Sequence, residues 1–475
     1  MPSAIRPWIN GRPARGRRQS GLVTRPWDDR VIAHVELATA TDLEHAIAGA
    51  AAAFPVLRAL PAHRRRTILL AVAEGLRSGR AALGQLIADD AGKPVTLALG
   101  EVDRAISTFI IAAEELRHVT GEVLPTDLDP RGEGLTALTC RFPLGPVAAI
   151  SPFNFPLNLV AHKVAPAIAA GCPVVLKVPP QAPLASFRLA ETLAAAGLPP
   201  GGFQALHLPI PVAERLATDP ALPVLSFTGS PAVGWHLKGL AARKRVILEL
   251  GGNAAAVVHS DTEQLPAVAA RIAWGAFAYA GQVCIKVQRL LVHRPIYRQF
   301  TRMVVAATRT LVAGDPRDPA TVVGPMIDDG AADRVQGWIR EAIGEGAKAL
   351  VRGRRRGRLL TPTILEGVRG TSKVCCREVF GPVLTIAPYD EWDDALATVN
   401  ASEFGLQAGV FTRDAARVFD AFRTLAVGGV VANDIPTLRL DHLPYGGVKA
   451  SGFGREGLRD AMLELTEPRL LLWKP

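Results

Sequence analysis

Short apolar runs punctuated by Pro and Gly recur through the middle of the chain, and they predict buried strands. Residues 145–150 (Gly-Pro-Val-Ala-Ala-Ile) are apolar without alternation and end at Ser151-Pro152-Phe153-Asn154-Phe155-Pro156, where two prolines mark a turn before a helix. Residues 173–178 form a second such run ending near Lys177, and 223–227 a third, which leads into Thr228-Gly229-Ser230-Pro231 and through Gly234 at the head of a helix. Helical patterns over 182–196 and 212–217 separate these runs. Strands alternating with helices predict a doubly wound parallel sheet. A second set follows, with strands at 288–293, 405–412 and 428–432 and helical segments at 297–311 and 414–425. Over 120–141 the helical period gives way to a polar, Gly- and Pro-containing alternation, which predicts a hairpin excursion. No internal repeat is found. The expected fold class is therefore α/β, with two doubly wound parallel-sheet domains.

Composition agrees. A chain of 475 residues exceeds the roughly 250–300 at which a single core stops growing, so two major domains are expected. Apolar residues make up 49%, enough for well-filled cores, and no stretch approaches the roughly 20 apolar residues of a membrane span. The formal charge of +10 raises nucleic acid as a partner. The densest clusters, Arg64-Arg65-Arg66 and the arginines of 352–358, have no interleaved aromatic residues to stack on bases, so they predict solvated loops and no specific nucleic-acid partner. Five cysteines without a CxxC pair argue against a disulfide framework and against a structural zinc site; a reducing compartment and no metal are expected. Adjacent Cys375 and Cys376 are expected to be packing residues. The first 27 residues are Arg-rich and contain no acid up to Trp27, a faint transit-peptide pattern. Cytoplasm is the expected location.

The candidate chemistry lies at the ends of the predicted strands. Cys284, in Gly281-Gln282-Val283-Cys284-Ile285, and Glu249, in Glu249-Leu250-Gly251-Gly252-Asn253, are the pair that thioester chemistry requires. A thiolate attacks an aldehyde carbon, the adduct expels hydride to an acceptor, and a carboxylate activates the water that resolves the thioester. Asn154 follows a strand end, where its amide can donate to a developing oxyanion, an interaction worth about 3 kcal/mol. Lys177 lies at the crevice outside the strand ends, suited to ribose hydroxyls or phosphate. The backbone N–H groups beyond Thr228 can take a cofactor phosphate, although this glycine run is not a GxGxxG.

Taken together, Ser151-Pro-Phe-Asn-Phe-Pro, Leu176-Lys177, Phe227-Thr-Gly-Ser, Glu249-Leu-Gly-Gly-Asn, Gly281-Gln-Val-Cys, Glu378-Val-Phe-Gly-Pro and Pro444-Tyr-Gly-Gly-Val-Lys-Ala-Ser-Gly resemble the aldehyde dehydrogenase superfamily over nearly the whole chain. Trp8-Ile9-Asn10-Gly11 matches the family's opening strand, which draws the N-terminal segment into the folded domain. The resemblance implies Cys284 as nucleophile, Glu249 as deacylation base, and Asn154 with the Cys284 backbone N–H as oxyanion hole. It implies a cofactor site of Ser151, Pro152, Phe153, Lys177, Pro180, Gly229, Ser230, Gly234, Leu250, Glu378 and Phe380, with Lys177 and Glu378 on the two riboses and Phe380 against the nicotinamide. It further implies a Rossmann-like NAD(P) domain (1–119 and 142–251), a catalytic domain (252–445) and a β oligomerisation arm (120–141 and 462–475), hence a homodimer or homotetramer.

One departure bears on the cofactor. NAD-strict members commonly carry a glutamate three positions after the lysine, where it repels a 2′-phosphate; here that position is Pro180. NAD is the first expectation and NADP remains open. For the substrate, Phe155, Val283, Ile285 and Ala278 predict an apolar neck. Arg439 and His442, in the loop before Pro444, are candidates to meet a carboxylate, phosphate or hydroxyl, against the alternative of an ion pair bracing the loop through Asp441. The segment is similar to lactaldehyde and glyceraldehyde-3-phosphate dehydrogenating members, which implies a short aliphatic, hydroxylated or anionic aldehyde. A coenzyme A-acylating enzyme and a non-catalytic protein of the same fold are the alternatives.

Overall fold

The computed structural model describes residues 4–16 and 19–475. Arg17 and Arg18 of the Arg-rich opening stretch, and the first three residues, lie outside the described residues.

Two large sheets carry the architecture. In the first, Phe203–Leu206, Val174–Lys177, Val147–Ile150, Val224–Thr228 and Arg245–Glu249 run parallel in that spatial order. Trp8–Ile9, itself paired with Arg12–Pro13 at one edge, and Gly452–Phe453 at the other add to it antiparallel. Val147–Ile150 is buried along its whole length, as expected of a strand covered by helices on both faces, which explains its unbroken apolar run. The helix Asn158–Ala170 packs there; all 13 of its residues are buried, and it ends at Gly171 in the left-handed conformation, φ 89°.

The second sheet has the order Lys348–Val351, Thr363–Glu366, Val383–Tyr389, Arg289–His293, Ala255–Val258, Gln407–Phe411, Gly429–Ala432, parallel except at its first strand. The helices expected over 297–311 and 414–425 are Arg294–Arg309 and Ala415–Thr424, the latter capped by the Asp414 side chain. The helix expected over 212–217 is broken into two short turns, Ile210–Ala213 and Arg215–Thr218. A third, antiparallel sheet pairs the final strand Thr466–Trp473 with Thr136–Pro143, and that in turn with Val123–Leu124. The α/β class and two parallel sheets agree with the sequence reading. Among the described residues, no single helix is long and apolar enough to cross a membrane.

Lys177, Thr228 and Glu249 end parallel strands of the first sheet, whereas Cys284 precedes the Arg289–His293 strand of the second. The carboxyl ends of one sheet therefore meet the amino ends of the other. Of the N-terminal helices Ala40–Ala59, Ala62–Ser78, Arg80–Ala91 and Val95–Glu115, the last brings Thr96, Leu97, Gly100, Glu101 and Arg104 to this region.

Candidate active site

A cavity of about 640 Å³ opens between the sheets, walled by Asn154, Glu249, Cys284, Glu378 and Tyr445 together with apolar Phe155, Trp274, Ala278, Val283 and Ile285. The loop that delivers Cys284 is wound unusually. Tyr279, Ala280 and Gly281 all take left-handed backbone angles, φ 54°, 52° and 67°, a conformation that persists where surrounding contacts over-determine it. The Tyr279 hydroxyl donates to the Ala91 carbonyl at 3.1 Å, and the Gln282 side chain donates to the Pro325 carbonyl and accepts the Ile327 N–H. At Gly281 a Cβ would stand 2.5 Å from the Gly381 carbonyl oxygen, so no other residue fits without moving backbone.

Burial pushes the Cys284 thiol up to about 11, with the Glu378 and Glu249 carboxylates adding to the rise. Its sulfur lies 3.4 Å from the Tyr445 hydroxyl. Glu249 is buried, and neither carboxylate oxygen meets a hydrogen-bond partner among the described residues. Burial, then the neighbouring Glu456 carboxylate, hold its acid well above the usual carboxylate range. An unpaired carboxylate on the wall beside a thiol has the proton affinity of a general base. The Asn154 amide donates to the Gln282 carbonyl at 3.0 Å, which accounts for one of its two N–H groups. The Asn154 backbone is held by Lys93, whose ammonium meets the Asn154 carbonyl at 3.0 Å and the Glu101 carboxylate at 2.6 Å. Glu101 in turn accepts the Leu157 and Asn158 N–H groups at the start of the following helix. Burial draws Lys93 down to about 8.

Residues able to hold a dinucleotide continue along the same edge. The Glu378 carboxylate accepts the Gly252 N–H at 3.1 Å and is raised to about 7 by burial; a Cβ at Gly251 would overlap it. Phe380 meets Phe153 edge to face, with ring centroids 6.0 Å apart. Pro152, Gly229, Ser230 and Leu250 line the cavity, the second and third at the head of the helix Pro231–Leu240. Gly234 is packed so closely on Leu250 that a side chain there would collide. Ser151, Lys177, Gly234 and Pro180 lie off the cavity wall. Ser151 is buried in the turn, Lys177 sits at its strand end with its ammonium lowered by burial, and Pro180 is exposed.

The substrate-side expectations divide. Phe155, Val283, Ile285 and Arg439 line the cavity. His442 does not: it is exposed outside the wall, because Asp441 beside it is the residue turned inward, held by Arg104 and by His162 at 2.8 Å. The Arg439 side chain is 7% exposed, lies 3.1 Å from Glu456 and 3.7 Å from Asp441, and stacks 3.8 Å above the Tyr445 ring. The ion pair to Asp441 that was one of the two expectations is thus present, with Glu456 as a nearer partner.

Sequence reasoning missed Tyr445, Lys93, Glu101, Arg104 and Glu456. Tyr445 stood in the Pro-Tyr-Gly-Gly run already singled out. Lys93 is flagged by Gly92-Lys93-Pro94, a helix stop followed at once by a new helix start, with Gly92 left-handed at φ 65°. Arg104 and Glu101 lie on that next helix, where nothing in the pattern marks a charge as buried.

A model of the aldehyde dehydrogenase family matches residues 14–471. The 3-sulfolactaldehyde dehydrogenase of Priestia aryabhattai is 42% identical over 451 residues, covering 95% of this chain and 94% of that protein. Aldehyde dehydrogenase 21 from Physcomitrella patens, solved in complex with the reaction product succinate, superposes with a TM-score of 0.97 at 39% identity, covering 100% of this chain and 98% of that one. A glyceraldehyde-3-phosphate dehydrogenase from Methanocaldococcus jannaschii complexed with NADP gives a TM-score of 0.92 at 36% identity, covering 97% and 100%.

Proposed function

The chain belongs to the aldehyde dehydrogenase family, and from that premise we propose that it oxidises a short aldehyde carrying an anionic group to the carboxylic acid, with NAD or NADP as acceptor and water as the resolving nucleophile. The observation that carries the hydrolytic reading is Glu249, a buried carboxylate on the same wall as Cys284 whose two oxygens have no hydrogen-bond partner among the described residues.

In this reading the Cys284 sulfur attacks the aldehyde carbon. The second N–H of the Asn154 amide and the Cys284 backbone N–H stabilise the oxygen as it gains charge. A nicotinamide cofactor, which Glu378 and Phe380 would hold, would supply the acceptor for the hydride that leaves the adduct. Glu249 then takes a proton from the water that attacks the thioester, and the acid departs as Cys284 regains its proton. Glu378, Phe380, Gly229, Ser230 and Lys177 fit a dinucleotide by their chemistry: a ribose-accepting carboxylate, an aromatic face, a helix start and a cation along one sheet edge. Pro180 leaves no carboxylate to repel a 2′-phosphate, so both cofactors are accepted, NAD being the first expectation.

Charge argues for the substrate class. Arg104 forms a two-pronged pair with Asp441, and Arg439 and Lys163 both hold Glu456. Burial lowers the His162 imidazole below its ordinary value, and despite burial Asp441 is held low by its hydrogen bonds to His162 and Arg104, and Glu456 by Lys163 and Arg439. Arg104 and Arg439 both line the cavity, and the buried Arg439 Nε has no hydrogen-bond partner among the described residues. An anion on the substrate would meet these guanidinium groups. The named activities of the sulfolactaldehyde relative and the succinate complex of the plant structure support the same class.

The exposed Leu470, Leu471, Leu472 and Trp473 on the last strand, with Val123 and Leu128 nearby, support a homodimer or homotetramer through the third sheet, testable by light scattering. Five free cysteines support a reducing compartment, the cytoplasm.

The test is a steady-state panel of short plain, hydroxylated, carboxylated and sulfonated aldehydes with NAD and with NADP, without coenzyme A. The anionic members are expected to give the highest kcat/KM. Equal constants for plain and anionic aldehydes contradict the substrate class, and activity only with added coenzyme A contradicts the hydrolytic one.

A further inference from the structure

The reaction leaves Tyr445 unused, although its hydroxyl lies within hydrogen-bonding distance of the Cys284 sulfur, at 3.4 Å. The placement is built, not incidental. The Tyr445 N–H donates to the Glu456 carbonyl and the Glu456 N–H to the Tyr445 carbonyl, both at 2.6 Å. The ring is buried in the cavity wall, with the Arg439 guanidinium 3.8 Å from its centroid, and Arg439 is itself fixed on Glu456.

Glu249, Glu378, Arg439 and Tyr445 line the same cavity as the sulfur; the two carboxylates oppose its ionisation, whereas Tyr445 and Arg439 favour it. Once the thiol has lost its proton the sulfur can only accept, so the phenolic O–H must be the donor. A cation on the face of the ring draws charge from the phenol and strengthens that donor.

We propose that Tyr445 is a catalytic residue whose hydroxyl donates a hydrogen bond to the Cys284 thiolate, and that Arg439 is a positioning residue that holds the ring and polarises its O–H. No atom is transferred in this contact; it lowers the cost of ionising the nucleophile against two carboxylates. The inference rests on Cys284 being the nucleophile of the proposed function.

The experiment follows iodoacetamide alkylation of the full-length protein against pH without cofactor. It is read at the peptide that carries Cys284, because four other cysteines are present. Tyr445→Phe keeps the ring and its stacking and removes only the donor. The expected result is an alkylation midpoint raised by about one pH unit, or about tenfold slower alkylation at a fixed pH below both midpoints, the size set by losing a hydrogen bond to a charged group. As a second measurement, 3-fluorotyrosine is incorporated at the four tyrosines of the chain, giving more acidic phenols. It is expected to lower the midpoint in the wild type and to leave Tyr445→Phe unmoved. If Tyr445→Phe does not fold, the fluorotyrosine shift in the wild type decides alone. An unchanged midpoint in Tyr445→Phe, or no fluorotyrosine shift in the wild type, overturns the proposal. Dehydrogenase activity in Cys284→Ala would instead overturn the nucleophile assignment, whatever the alkylation profile.

Discussion

The Asn154 side chain donates to the Gln282 carbonyl at 3.0 Å and so ties the turn after a strand of the first sheet to the loop that carries Cys284 from the second. One amide thus bridges the two halves of the site, and its second N–H is the donor that the proposed function assigns to the reacting oxygen. Asn154→Ala is expected to lower kcat by about a hundred- to a thousandfold, the cost typical of one lost oxyanion donor. Stopped-flow measurement of cofactor reduction checks this, and an unchanged rate of the hydride step removes Asn154 from the oxyanion hole.

The Lys93–Glu101 pair supports that amide from below. Both side chains are buried, and Lys93 also lies 3.4 Å from the centroid of the Phe155 ring. Lys93→Met leaves Glu101 as an uncompensated buried charge and is expected to cost about 3–5 kcal/mol. Combining it with Glu101→Gln should restore part of that loss. Urea unfolding of the single and double variants measures it; a Lys93→Met protein as stable as the wild type contradicts the supporting role.

Much of this site was legible along the chain because its main residues sit where strands stop. Val147–Ile150, Val174–Lys177 and Val224–Thr228 are uniformly apolar and end in Pro- or Gly-marked turns, so Asn154, Lys177 and Gly229 could be placed at sheet edges before any contact was known. Side-chain direction within an irregular loop was not legible. Arg439, Asp441 and His442 lie within four positions, and only their partners Glu456, Arg104 and His162, distant in sequence, decide that the first two turn inward and the third outward. Buried charge on helices was likewise hidden. Glu101 and Arg104 lie one turn apart on a long helix, and a periodic pattern cannot tell a charge facing a cavity from one facing solvent.

Pro180 tests the cofactor reading. It lies exposed three residues beyond Lys177, so a carboxylate there is accommodated without disturbing the core. Pro180→Glu is expected to raise KM for NADP several-fold more than for NAD, through repulsion of the 2′-phosphate. Steady-state kinetics with both cofactors decides it, and an unchanged NAD-to-NADP ratio contradicts the assignment of this position.

The elevated acid of Glu249 has a definite sign in kinetics. Only the ionised carboxylate can act as base, and burial beside Glu456 favours the protonated form. Where deacylation limits turnover, kcat should therefore rise with pH through a limb lying above the usual carboxylate range. A pH profile that is already flat at ordinary carboxylate values contradicts this assignment.

The most direct test of the account is a rapid-mixing experiment on Glu249→Gln with an anionic aldehyde and NAD. The account predicts a burst of about one reduced cofactor per Cys284, a thioester detectable on the Cys284 peptide, and steady turnover slowed about a hundred- to ten-thousandfold. Normal steady turnover without an accumulated thioester would contradict the claim that a buried, unpaired carboxylate activates the water that completes the reaction.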